Sequence, residues 1–211
     1  MIEPSIITNQ QEAFGCSKIH LETNQLVIKS LSYSEFDENL FDMIRPVLAM
    51  VQITYLNITP REIFIGTLID LVRCLPNLDS LVISSLAMTQ PRYLSIEETR
   101  HFRLLSNNNK IIKVNLKQMS DIAQVQFLLD LCSQMKYFEI GSTNDVSLEN
   151  VIRFILMKNI KNTCNLHLLC LKIPQANMNM VDRLKSIIDF ERLSHNYKIQ
   201  QIDTEIHLRL N

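Results

Sequence analysis

Short apolar strand patterns alternate with helical patterns along most of the chain. Around Pro76 a helical pattern ends, and apolar residues at Leu78, Leu81 and Ile83 then predict a strand. The same spacing, in which the second and third apolar residues follow the first at positions +3 and +5, recurs along the chain. Five copies begin at Ile53, Leu78, Ile111, Met135 and Leu166. The sequence therefore predicts a repeated strand that buries one of its two faces.

A helical pattern follows each of the five copies. Between the first two, Thr59 fits an N-cap, Pro60 fits the first helical position, and apolar residues recur at helical spacing up to Leu75. Further helices are predicted over about 37–50, 95–105, 120–131, 147–158 and 178–193. The strand copies start 25, 33, 24 and 31 residues apart. This irregular period, with one strand and one helix per unit, indicates a repeat architecture, because one unit cannot bury its own apolar face.

The two ends of the chain differ from the repeated part. Residues 1–17 are polar and have no period, which predicts a flexible N-terminal tail, and residues 18–32 follow as a predicted strand. At the other end, Ile206 to Leu210 alternate strictly between apolar and polar side chains and predict an edge or capping strand. The predicted organisation is a tail over 1–17 and a single α/β domain over 18–211.

The strand copies, together with the segment Arg73-Cys74-Leu75-Pro76-Asn77-Leu78, resemble leucine-rich repeats. The resemblance covers about residues 18–210. It is to the ribonuclease-inhibitor-like subtype and to F-box proteins with divergent repeats, although no F-box pattern is visible. It implies a solenoid with a parallel sheet on the concave side and helices on the convex side. It also implies protein binding through the concave face, with the substrate receptor of a ubiquitin-ligase adaptor as one case. An ordinary open α/β sheet is the alternative fold.

Composition narrows the classes of function. The net charge of −1 does not favour a nucleic-acid-binding surface, and the hydrophobic fraction of 46% is that of a folded protein. No apolar run approaches the roughly 18 residues of a membrane span, and the N-terminus shows no signal-peptide pattern. We therefore expect a cytoplasmic protein without a membrane partner. The three glycines, Gly15, Gly66 and Gly141, are too scattered for a phosphate-binding loop, so no cofactor is predicted.

The spacing Cys164-x-x-His167-x-x-Cys170 is the one pattern that suggests a metal. Side chains three residues apart on a strand point to opposite faces, so these three would not converge on one ion. No motif frames a serine, cysteine or histidine as a nucleophile. The sequence therefore predicts no metal site and no catalytic residues. We expect a chain that is not an enzyme.

Candidate binding residues lie between the apolar strand positions. Because successive strand side chains alternate between faces, these residues point away from the core. They are Tyr55, Asn57, Ser80, Val82, Lys113, Asn115, Tyr137 and Glu139, followed in the last copy by Leu168 and Cys170. Tyr55 and Tyr137 are the expected anchors, since tyrosine is enriched at interface hot spots. We expect a protein partner on this face.

Two other classes of function stay open. A small α/β enzyme with an unrecognised site requires a strand order that reverses, because ligands bind in the crevice at such a switch point. A non-catalytic, oligomeric structural unit is the third possibility, since repeat arrays whose ends lack polar caps tend to associate.

Overall fold

A computed structural model describes residues 19–29, 52–88, 96–142, 148–160, 165–173 and 177–210. The predicted tail over 1–17 and the predicted helix over 37–50 lie outside the described residues, as do Cys16 and Cys164. Within the described ranges, no helix is long and apolar enough to cross a membrane.

Eleven strands and five helices lie in these ranges. The strands are β1 (Ile19–Glu22), β2 (Gln25–Ile28), β3 (Tyr55–Ile58), β4 (Ile63–Phe64), β5 (Ser80–Ile83), β6 (Leu86–Ala87), β7 (Lys113–Met119), β8 (Tyr137–Ser142), β9 (Leu168–Lys172), β10 (Tyr197–Ile202) and β11 (Glu205–Leu210). The helices are α1 (Ile65–Arg73), α2 (Ile96–Asn108), α3 (Ile122–Leu131), α4 (Leu148–Ile160) and α5 (Met178–Phe190).

Nine of the strands form one sheet in the order β1-β2-β3-β5-β7-β8-β9-β11-β10. The six strands from β2 to β9 in this order are parallel and follow each other as they do in the chain. The outer strands are antiparallel: β1 pairs with β2, β11 with β9, and β10 with β11. The short strands β4 and β6 form a separate parallel pair. The prediction of an α/β chain with a mostly parallel sheet is confirmed.

The apolar strand positions build one hydrophobic core. Register aligns Leu56, Leu81, Val114, Phe138 and Leu169 in one row across the sheet, and all are almost fully buried. Each described helix packs apolar side chains against the same core, so these helices cover one face of the sheet. The parallel strands show no reversal of order. The crevice that the enzyme alternative requires is therefore not formed by the described strands.

Several local predictions are wrong. The strand predicted over 18–32 is the hairpin β1–β2, which reverses at Thr23, a residue with a φ of 41°. Thr59 is not a helix N-cap, because Ile63 and Phe64 form β4 before α1 begins. The Thr59 hydroxyl instead donates a hydrogen bond to the Ile28 carbonyl oxygen, over 2.9 Å.

The C-terminal strand β11 forms as predicted but is not the edge of the sheet. It lies between β9 and β10, and β10 is the outermost strand on that side. The turn between β10 and β11 is tight, with Asp203 at a φ of 53°. β10 escaped prediction because its sequence, Tyr-Lys-Ile-Gln-Gln-Ile, does not keep a strict alternation.

Gly141 allows an irregular pairing between β7 and β8. Their register shifts between Leu116 and Met119, and the backbone of Lys117 lies directly against Gly141. A Cβ atom on Gly141 would come within 1.9 Å of the Lys117 carbonyl oxygen. The glycine is therefore needed for close backbone approach.

Candidate functional site: the open face of the sheet

The face opposite the helices is formed by the side chains between the apolar strand positions. Register arranges them in two rows, which we call the open face. One row contains Tyr55, Ser80, Lys113, Tyr137 and Leu168, and the other contains Asn57, Val82, Asn115, Glu139 and Cys170. The structure thus places all eight predicted binding residues on one surface. That they bind a partner stays a prediction.

A cleft of about 430 Å³ lies on the open face. Seven of the eight predicted residues line it, together with Leu168 and Cys170; the exception is Asn57. The Asn57 side-chain oxygen is buried beside Val27 and Val82 and has no hydrogen-bond partner among the described residues. Tyr137 is 43% exposed, so its ring is available to a bound molecule.

A lysine and a tyrosine together form one part of the cleft wall. The Lys113 ammonium lies 6.0 Å from the centroid of the Tyr137 ring, which is the outer limit of a cation–π contact. Lys113 is exposed and forms no ion pair within the described ranges. This part of the cleft therefore offers a positive charge next to an aromatic surface.

The carboxylate of Glu139, by contrast, is already engaged. Its Oε1 accepts a hydrogen bond from the Asn115 amide over 2.6 Å and lies 2.6 Å from the Lys172 ammonium. Lys172 also lies 3.4 Å from Glu205 Oε1. The hydrogen bond to Glu139 is the main cause of a raised Lys172 pKa, and Glu205 adds to it. The Lys172 side chain is about half exposed, so solvent screens these ion pairs.

Next to this ion pair, Cys170, Glu205 and His207 bring three donor atoms together. Antiparallel pairing sets Cys170 directly opposite His207, and Glu205 lies two residues before His207 on the same face. The Cys170 thiol donates a hydrogen bond to Glu205 Oε2 over 3.2 Å, and His207 Nε2 lies 3.0 Å from the same oxygen. The sulfur lies 3.7 Å from His207 Nε2. All three donor atoms lie within 4.8 Å of one another, so they could hold a metal ion.

This arrangement does not activate the thiol as a nucleophile. Burial, and then the hydrogen bond to Glu205, raise the Cys170 pKa to about 12, whereas reactive cysteines have lowered pKa values. The same hydrogen bond is the main cause of a lowered Glu205 pKa. His207 also directs the same nitrogen at both neighbours, whereas a Cys–His–acid triad needs the acid on the other ring nitrogen.

Sequence reasoning found one member of this cluster and missed two. It grouped Cys170 with Cys164, which lies outside the described residues, and with His167. His167 is exposed, directs Nδ1 to the Asn165 carbonyl oxygen over 2.7 Å, and is not part of the cluster. Glu205 and His207 are two residues apart in the predicted C-terminal strand, and this spacing places both side chains on one face. This was the one sequence feature that could have pointed to them.

Comparison with known proteins assigns no family to the chain. No protein-family model matches it, and no curated protein is significantly similar to it.

Proposed function

We propose that this chain is a protein-interaction module that binds its partner through the open face. The observation that carries the proposal is the cleft on that face, which no described helix covers and which Tyr55 and Tyr137 both line. Partly exposed tyrosines combine a large apolar area with a hydroxyl group, which makes them frequent interface hot spots.

The charges of the cleft indicate the chemistry of the partner. Glu139 is compensated by Asn115 and Lys172, whereas Lys113 has no carboxylate partner within the described ranges. A complementary protein surface therefore presents an apolar side chain to the tyrosines and a carboxylate to Lys113. Electrostatic complementarity of this kind contributes mostly to specificity and association rate.

The resemblance to leucine-rich repeats extends the proposal in one direction. The repeats of F-box proteins present substrates to a ubiquitin ligase, so we include among the candidate partners the substrates and scaffold subunits of such a ligase. This extension rests on strand spacing, whereas the binding proposal rests on the cleft. Each can fail without the other.

The binding proposal is tested by comparative affinity capture from an extract of the source cells. The baits are the unaltered chain, a Tyr55→Ala/Tyr137→Ala variant, and a Phe190→Ala variant as a matched control. Phe190 is 89% exposed at the end of α5, away from the open face, so its loss removes an exposed aromatic ring of comparable size. A partner counts only if the double variant loses it and the control retains it.

The dissociation constant is then measured with the purified partner. Hot-spot residues contribute about 2 kcal/mol or more each, so the two losses together should cost about 4 kcal/mol and weaken binding by roughly 700-fold. Lys113→Glu should weaken it as well, while Arg103→Glu on the exposed side of α2 should not. Equal recovery of every captured protein by the unaltered chain and the double variant would refute the proposal.

A further inference from the structure

We propose that Cys170, Glu205 and His207 form a zinc site on the open face, where β9 pairs with β11. The proposal does not depend on the protein-binding function. The three proposed ligands come from β9 and β11, and Cys170 and His207 are 37 positions apart in the chain.

The distances between the three donor atoms are close to those around a zinc ion. Zinc binds sulfur at about 2.3 Å and nitrogen or oxygen at about 2.0–2.2 Å in a tetrahedral arrangement, so its ligand atoms lie about 3.5 Å apart for S–N and S–O and about 3.4 Å apart for N–O. The three separations in this cluster are 3.7, 3.2 and 3.0 Å, in the same order. Each of these distances differs from the corresponding ligand–ligand distance around a tetrahedral zinc ion by about 0.4 Å or less. Small side-chain rotations are therefore enough to admit the ion.

The backbone holds the three ligands next to one another before any ion binds. Cys170 and His207 are directly opposite each other, and Glu205 is paired with Lys172 in the same ladder. Cys170 is only 7% exposed, and the His207 and Glu205 side chains are 19% and 30% exposed. The site is thus sheltered, which reduces competition from water.

The types and charges of the three ligands also favour zinc. A thiolate and an imidazole favour zinc over magnesium or calcium, which prefer oxygen ligands alone. On binding, the Cys170 thiol releases its proton to solvent, and neutral His207 carries its proton on Nδ1 so that Nε2 can coordinate. One thiolate and one carboxylate then balance the charge of Zn²⁺. Three protein ligands leave a fourth position for water or a side chain of a bound partner, and Cys170 also lines the cleft.

Lys172 is the group that opposes the metal. Its ammonium lies 3.4 Å from Glu205 Oε1, so it competes for that carboxylate and repels a nearby dication. A zinc site therefore predicts that Lys172→Gln tightens metal binding. At a separation of about 6 Å in a water-like dielectric, removing one positive charge beside a dication corresponds to about a tenfold lower dissociation constant.

The test uses the full chain under reducing conditions, titrated with cobalt(II) chloride and then with zinc chloride. We expect one equivalent of cobalt to give the thiolate charge-transfer band and the strong visible bands of a tetrahedral site, and zinc to remove both. Cys170→Ser and His207→Gln each remove a metal ligand and should raise the dissociation constant by more than about 100-fold. Removing only a hydrogen-bond partner of a metal ligand typically raises it by roughly 10–100-fold. Cys74→Ser is the matched thiol control and should leave the spectrum unchanged.

Three results would each overturn the proposal. The first is the absence of a thiolate–cobalt band in the unaltered protein. The second is a band of normal intensity in Cys170→Ser, which would place the metal on another thiol. The third is weaker cobalt binding in Lys172→Gln. Because the first and third do not depend on the stability of the ligand variants, the test holds even if Cys170→Ser folds poorly.

Discussion

Replacing Gly141 by alanine tests the close contact between β7 and β8. The added Cβ atom would lie 1.9 Å from the carbonyl oxygen of Lys117 and 2.8 Å from its carbonyl carbon. Ordinary van der Waals contact begins near 3.4 Å, and both clashing atoms belong to a backbone held in the sheet. The two strands must therefore move apart by more than about 1 Å at Gly141 and Lys117.

The expected loss of stability follows from that displacement. Overpacking a well-packed interior costs about 1–3 kcal/mol, and backbone cannot relax as a side chain does, so we expect about 3 kcal/mol for Gly141→Ala. In a chain of this size, 1 kcal/mol corresponds to about 2–4 °C in melting temperature. The variant should therefore melt about 6–12 °C below the unaltered protein.

Gly66→Ala provides the matched control. Its Cβ would also lie too close to a neighbour, 2.4 Å from Glu98 Oε1, but that atom is the end of a flexible side chain. Alanine is also favoured over glycine in a helix by up to about 1 kcal/mol. We expect its stability to stay within about 1 kcal/mol of the unaltered protein. Calorimetry that gave both variants the same melting temperature would refute the argument from backbone contact.

Two further predictions concern single polar side chains. Gln124 is buried, donates to the Leu86 carbonyl oxygen over 2.6 Å and accepts from the Ser120 N–H over 2.9 Å. Gln124→Met removes the donor to the buried Leu86 carbonyl oxygen, so the free energy of unfolding measured with urea should fall by about 1–3 kcal/mol. A fall below about 0.5 kcal/mol would contradict this. Burial, and then the hydrogen bond to Asp189, raise the Tyr197 pKa to about 12. The contribution of the protonated phenol to the free energy of unfolding is present below about pH 10 and is lost as the pH rises towards 12. Tyr197→Phe should therefore remove one tyrosine that titrates late in the ultraviolet titration. An unchanged titration curve would argue against this assignment.

The sequence was most informative where local spacing decides the structure. Leu81 and Ile83 have the strand period of two, so their burial followed directly from the pattern, and Leu78 is buried just before β5 begins. The same spacing identified the parallel strands β3, β7, β8 and β9, whereas β2 lies outside the five copies. It was least informative where pairing partners decide. Ile63 and Phe64 fit a helical period but form a strand because they pair with Leu86 and Ala87.

The same distinction applies to the candidate site. Alternation within single strands was enough to place the eight predicted residues on one face. The contact between Cys170 and His207 joins residues 37 positions apart and depends on the antiparallel return of β11 beside β9. The spacing of residues within one strand does not determine which other strand it pairs with. The cluster could therefore be found only once the sheet was assembled.

The strand order has a consequence for how the chain folds. From β3 to β9, each parallel strand pairs with the next parallel strand along the chain, so paired residues lie 23–33 positions apart. The entropy of closing a loop grows only slowly with its length, so these connections differ little in that cost. The hairpins β1–β2 and β10–β11 lie at the two ends of the sheet, where we expect local unfolding to begin most easily. The hairpin β10–β11 is one of them, so exchange of its amides reports on the end of the sheet that carries Cys170 and His207.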